Sequence, residues 1–153
     1  MFHVTVYVNS AKEYIGFQTS GHAGYAPEGQ DIVCAAASVL TINTINAIDQ
    51  FTGDRAILEA EQTEGHAEYA DPGQDIVCAA ASILVINTIN AIEEFTEDDT
   101  SLISEDEMGM ISYHLNHPSK DAQLLLNTMI LGLEQMVDDD NYAEYIDLTF
   151  EEV

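Results

Sequence analysis

Apolar and polar residues alternate from Phe2 to Val8, a run rich in Val and Thr, and this pattern predicts a strand. Asn9 to Lys12 reads as a turn and Tyr14 to Thr19 as a second strand, so the chain opens with a hairpin. Gly21 to Gln30 holds three Gly and one Pro and reads as a loop. A helix is predicted from Ile32 to about Phe51, with Asp31 as its N-cap and Gly53 beyond its end. After a short candidate strand, Ala56 to Glu61, the same loop and helix recur, with Asp75 as N-cap and a helix from Ile76 to about Phe95. Ser101 to Ser104 and Met108 to His114 predict a second hairpin. Pro118 and Ser119 open a third helix over Lys120 to Val137, and Tyr145 to Phe150 is a closing strand. The expected fold is therefore α/β: a small mixed sheet packed with helices in one domain over residues 1–153.

The uncharged runs Ile32 to Ile48 and Ile76 to Ile92 are short for a membrane span and carry Ser, Thr and Asn throughout; helices buried in protein explain them better. Asn43, Asn46, Asn87 and Asn90 interrupt them. These asparagines either pair across a helix–helix contact, between the copies or between subunits, or mark a solvated edge.

The recurrence is an internal repeat. Between segments 21–53 and 65–97, 25 of 33 positions match. GHAGYAPEGQDIVCAAAS at Gly21 to Ser38 returns as GHAEYADPGQDIVCAAAS at Gly65 to Ser82. Without residues 21–64 the chain still reads strand, strand, loop, helix, hairpin, helix, strand. The extra loop and helix thus look like an insertion into a smaller fold.

Each copy carries one of the chain's 2 cysteines, Cys34 or Cys78, twelve positions after a histidine, His22 or His66. With Asp31 as N-cap, Cys34 falls inside the first helical turn. There the unpaired amides and the positive end of the helix dipole favour a thiolate and could hold an oxyanion. The Asp31 carboxylate opposes this, because it competes for the same amide. A single cysteine is most often a small core residue, and a single loop histidine a backbone-bonded one. The two together before a helix start, in duplicate, point to a nucleophile and its base. A zinc site built from His22, Cys34, His66 and Cys78 lacks ligand spacing, so neither metal nor cofactor is expected. His3, His114 and His117 show no partner pattern and read as surface residues.

Charge narrows the class of partner. Lys and Arg number 3 against 28 acids, for a net charge of −25. Nucleic acid and anionic membrane both need Lys and Arg to meet phosphate, so both are disfavoured. Such a field steers a basic partner inward, although a merely solvated acidic surface has the same composition. MFHVTVYVNS lacks a basic head and a long apolar run, and two cysteines in identical contexts do not suggest a disulfide framework. A cytoplasmic protein is expected.

The motif G-H-A-G-Y-A-x-x-G-Q-D-I-V-C-A-A-x-S closely resembles the signature of the ribosomal-processing cysteine proteases, known as Prp. The opening hairpin, QLLLNTMILGLEQM at Gln123 to Met136 and YIDLTF at Tyr145 to Phe150 extend the likeness to all but the extra 44 residues. The resemblance implies a small α/β homodimer. It implies a cysteine endopeptidase that removes the N-terminal extension of the twenty-seventh protein of the bacterial large ribosomal subunit, cutting after an aromatic residue. It places the dyad on His22 and Cys34, with Gly21, Asp31 and Ser38 in support. In the second copy the matching residues are His66 and Cys78, with Gly65, Asp75 and Ser82. One motif per chain is the family pattern, and the duplication departs from it. The first copy follows the second strand directly and keeps Gly24 where the other has Glu68, which favours His22 and Cys34. A duplicated relative that only grips a basic ribosomal protein, without cutting it, is the competing expectation.

Overall fold

The computed structural model describes residues 1–21, 30–54, 74–105 and 109–153, with side chains except at 30–35, 37, 38 and 74–76. The described elements run β1 (Phe2–Val8), β2 (Tyr14–Ser20), α1 (Gln30–Phe51), α2 (Gln74–Phe95), β3 (Thr100–Glu105), β4 (Met110–Leu115), α3 (Lys120–Asp138) and β5 (Ile146–Glu152). The candidate strand Ala56 to Glu61 and the loops bearing His22 and His66 lie outside the described residues.

The five described strands form one mixed sheet in the order β3-β4-β2-β1-β5. β5 runs parallel to β1, pairing Phe2 with Ile146, and the other pairings are antiparallel. The opening hairpin turns where the Asn9 side-chain carbonyl accepts the amides of Ala11 and Glu13, with Lys12 at φ 64°. The expected alternation holds. Phe2, Val4, Val6, Phe17, Thr19 and Tyr113 turn to the covered face. The opposite face is polar: Tyr7 donates to Gln18 and stacks on His114, with ring centroids 5.5 Å apart. Gly16 lies between those two rings in the sheet, where a Cβ would collide with the Tyr113 carbonyl oxygen.

α2 and α3 supply most of the helical core on the covered face. α3 begins as expected, with the Ser119 hydroxyl capping the Ala122 amide at 3.1 Å. Ser119 is itself fixed, since both its amide and its hydroxyl donate to Asp98. α1 makes its main contacts with α2 and α3, whereas α2 also reaches β1. α1 is therefore an outer helix and α2 an inner one. Val77–Phe95 is apolar and long enough to cross a membrane by length and composition, and its buried face against the core accounts for that composition.

The asparagines resolve differently in the two copies. Asn43 donates to the Thr128 carbonyl and Asn46 to the Gln135 side chain, so both tie α1 to α3. Asn87 and Asn90 of α2 are exposed. The solvated edge is met in α2, whereas the α1 asparagines bond to α3 rather than to the other copy or a second subunit.

The N-cap assignments need correction. The helices start at Gln30 and Gln74, so Asp31 and Asp75 are second helical residues, not caps. Gln continues a helix readily, so each helix extends back past the aspartate. An acid in the first turn still favours the helix through its dipole. Cys34 and Cys78 then become the fifth residue of each helix, in the second turn.

Candidate active site

The end of β2 leads into the first motif. Gly21, the last described residue before His22, has φ +110°, and a Cβ there would collide with the Met1 carbonyl oxygen. Only glycine fits that turn without strain. The chain therefore enters the first motif beside the start of β1, which the Phe2 amide ties to the Tyr145 carbonyl at 2.8 Å.

The site residues expected from the sequence divide sharply. His22, Gly65 and His66 lie outside the described residues, as do the side chains of Asp31, Cys34, Ser38 and Asp75. The backbone of Cys34 is in the second turn of α1. Ser82 is half-buried on α2. Cys78 is 0% exposed and belongs to the core cluster with Val77, Ala81, Phe2 and Phe17. Burial among hydrocarbon opposes a thiolate and closes the sulfur to a peptide.

The second-turn position also changes what the helix can do for either sulfur. The unpaired amides within the helix belong to its first three residues, 30–32 or 74–76. The amide of the fifth residue is already in the helical ladder. An oxyanion held by helix-start amides would thus sit before the cysteine, not at its own N–H, and the dipole's hold on the thiolate is weaker one turn in.

A polar cluster at the far end of α2 escaped the sequence reading. The Tyr113 hydroxyl donates to Glu93 Oε1 at 3.0 Å, and the Thr100 hydroxyl donates to the same oxygen at 2.5 Å. Burial, chiefly, pushes the Tyr113 phenol up to about 12. The only trace in the sequence is the Asp49/Glu93 difference between the copies.

Comparison with known proteins places the chain in context. The family model described as cysteine protease Prp matches residues 1–64 and again 56–147, one match for each motif copy. The ribosomal processing cysteine protease Prp of Bacillus subtilis is 30% identical over 59 residues, 39% of this chain and 53% of that relative. The chain thus matches about half the length of that curated relative. The fold is similar to that of the essential ribosomal processing protease Prp of Staphylococcus aureus, solved with a covalently linked product peptide. There the TM-score is 0.61 at 21% identity, covering 99% of this chain and 100% of that one. A Streptococcus mutans structure, SMU.848, gives a TM-score of 0.61 at 20% identity over 100% of this chain and 96% of that one. With the family model covering the chain through both copies of its motif, this protein belongs to the cysteine protease Prp family.

Proposed function

We propose that the chain is a cysteine endopeptidase that removes the N-terminal extension of a basic large-subunit ribosomal protein, with His22 and Cys34 as its dyad. The observation that carries the reading is the family match, which falls on both copies of the histidine–cysteine motif. The S. aureus relative bound covalently to a product peptide supports a covalent intermediate. The net charge of −25 supports a basic substrate, since the field attracts it at long range. The choice of copy rests on Cys78. A sulfur with no exposed surface cannot meet a peptide carbonyl, which leaves Cys34 as the attacking thiol.

In this mechanism His22 takes the proton from Cys34 Sγ, and the thiolate adds to the scissile carbonyl. First-turn amides of α1 stabilise the oxyanion. The imidazolium returns its proton to the leaving amine, and water then hydrolyses the thioester with the same histidine as base. Because Cys34 is in the second turn, the histidine supplies more of the activation than the helix dipole does. The reading includes a homodimer working in the cytoplasm, where ribosomal proteins are made.

Cleavage of a synthetic peptide carrying such an N-terminal extension, with an aromatic residue at the cut, tests it. Cys34→Ala should abolish turnover and Cys78→Ala should preserve it. Loss confined to Cys78→Ala moves the site to the second copy, and full activity in the double variant ends the protease reading. The duplication, a departure from one motif per chain, motivates a second reading, a module that grips the basic protein without cutting it. Binding of that peptide with no turnover by the unaltered chain would select it.

A further inference from the structure

α1 and α2 are identical at 18 of 22 positions, yet they bury different faces. α2 encloses Leu84, Val85, Ile89 and Ile92. The equivalents in α1, namely Leu40, Thr41, Ile45 and Ile48, are half-buried or exposed. α1 buries Asn43 and Ala47 instead, whose counterparts Asn87 and Ala91 are exposed and half-buried. One helical sequence therefore serves two seats, and the shared residues cannot say which copy takes the inner one.

The four differences can. Val39/Ile83 are half-buried in both helices and Gln50/Glu94 are exposed in both, so neither pair discriminates. The other two track the seat, Val85 by burial and Glu93, exposed like Asp49, by its hydrogen bonds. Val85 is 1% exposed in the core wall, and its counterpart Thr41 is exposed on α1. Val and Thr are not interchangeable in a core, because the hydroxyl must be taken out of water. Glu93 reaches both the Tyr113 and Thr100 hydroxyls. Its counterpart Asp49 is one methylene shorter and, placed at that position, would leave the buried Tyr113 hydroxyl short of its acceptor.

We propose that Val85 and Glu93 are positioning residues that assign the second copy to the seat against the sheet, and so decide which of the two thiols is enclosed. Thr41 and Asp49 disfavour the first copy there. The assignment does not depend on catalysis: it concerns which helix packs inside, whatever the other thiol does.

Iodoacetamide labelling of the full chain, with each cysteine resolved by mass spectrometry, reads the assignment directly. In the unaltered chain Cys78 should label far more slowly than in the urea-unfolded chain. Thr41→Val with Asp49→Glu alters only exposed positions of the outer helix, so it leaves the observed core intact. By making α1 a competitor for the inner seat, it should raise the Cys78 labelling rate about tenfold or more, the size expected from two such effects. The reciprocal exchange, adding Val85→Thr and Glu93→Asp, should raise it further while circular dichroism still shows a folded protein. Unchanged Cys78 protection in T41V/D49E overturns the proposal. So does rapid Cys78 labelling in the unaltered folded chain. Neither result touches the peptide-cleavage test, and loss of cleavage leaves the labelling result standing.

Discussion

Gly132 of α3 lies where both motif helices meet that helix. A Cβ at this position would stand 2.9 Å from Cγ and 2.9 Å from Oδ1 of Asn43 on α1, and 2.9 Å from Cδ1 of Leu84 on α2. Gly132→Ala therefore overpacks the junction, a change that typically costs about 1–3 kcal/mol. Alanine recovers roughly 1 kcal/mol as a better helix former. The net expectation is a loss of about 0–2 kcal/mol, or a fall in Tm of a few degrees for a domain of this size. The coupling to Asn43 is more informative than that net value. Asn43→Ala gives up the bond from Nδ2 to the Thr128 carbonyl, worth about 0.5–1.5 kcal/mol. It also removes Oδ1, a buried oxygen without a hydrogen-bond partner among the described residues. The two effects nearly cancel. In that background two of the three nearest atoms are gone, and the third, the Leu84 methyl, is the movable tip of a side chain. Gly132→Ala should then cost about 1 kcal/mol less than in the parent chain. Urea unfolding of the four proteins, followed by far-ultraviolet circular dichroism, closes the cycle. An equal cost in both backgrounds, within roughly 0.3–0.5 kcal/mol, would show that α1 does not rest on α3 at this point.

The same substitution made in both copies separates the seats. Ile92→Ala, at a side chain 1% exposed, should cost about 2–5 kcal/mol. Ile48→Ala, at the equivalent position 37% exposed, should cost well under half as much; equal losses in urea unfolding would contradict the inner and outer assignment. Tyr113 supplies a pH test. Its neutral phenol is favoured in the folded state, so its contribution is complete below about pH 10 and is lost as pH rises through about 12. Tyr113→Phe should flatten the fall in stability across that window, and an unchanged alkaline profile would refute the role. Joining Ser20 to Gly65 removes α1 with its loop and keeps the inner helix. The shortened chain should remain folded with its sheet intact by amide exchange, and a chain that unfolds would show that α1 is part of the core.

The strands are legible because each has a wet face. Phe2, Val4 and Val6 alternate with His3, Thr5 and Tyr7, and only a half-buried strand needs that pattern. Helix α3 is legible through Ser119, the hydroxyl before an apolar run. The apolar pattern places the helix starts at Gln30 and Gln74 two residues late, since an aspartate before an apolar run resembles a cap even when the helix already includes it. The parallel placement of β5 beside β1 depends on contacts more than a hundred residues apart, which no local pattern encodes. Of the site, the sequence supplied residue types and spacing. It could not supply burial: Cys34 and Cys78 sit in the same six-residue context, IVCAAA, and the enclosure of Cys78 comes from the surface its helix packs on.

That identity of context explains how the fold absorbs a second copy. The extra loop and helix lie between β2 and the inner helix, a connection that must already cross from the sheet to the helical layer. The added helix is apolar enough to seek cover, but Asn43 and Asn46 lie three residues apart on one face. A hydrocarbon stripe there would invite nonspecific association wherever the helix stayed exposed. A polar stripe is tolerated in both settings: α2 turns Asn87 and Asn90 to water, while α1 turns Asn43 and Asn46 to the Thr128 carbonyl and the Gln135 side chain. The helix ends repeat as well. Thr52 and Thr96 each bond back to the carbonyl four residues earlier, at Ile48 and Ile92, and each hydroxyl then accepts the amide two residues on, at Asp54 and Asp98. Each copy therefore carries its own stop signal and its own polar face, and needs from the rest of the chain only a surface to rest on. The inner surface is taken by the copy that carries Val85 and Glu93, joined to β3 through four residues, Thr96 to Asp99, and the outside of α2 and α3 is left for the copy that carries Thr41 and Asp49.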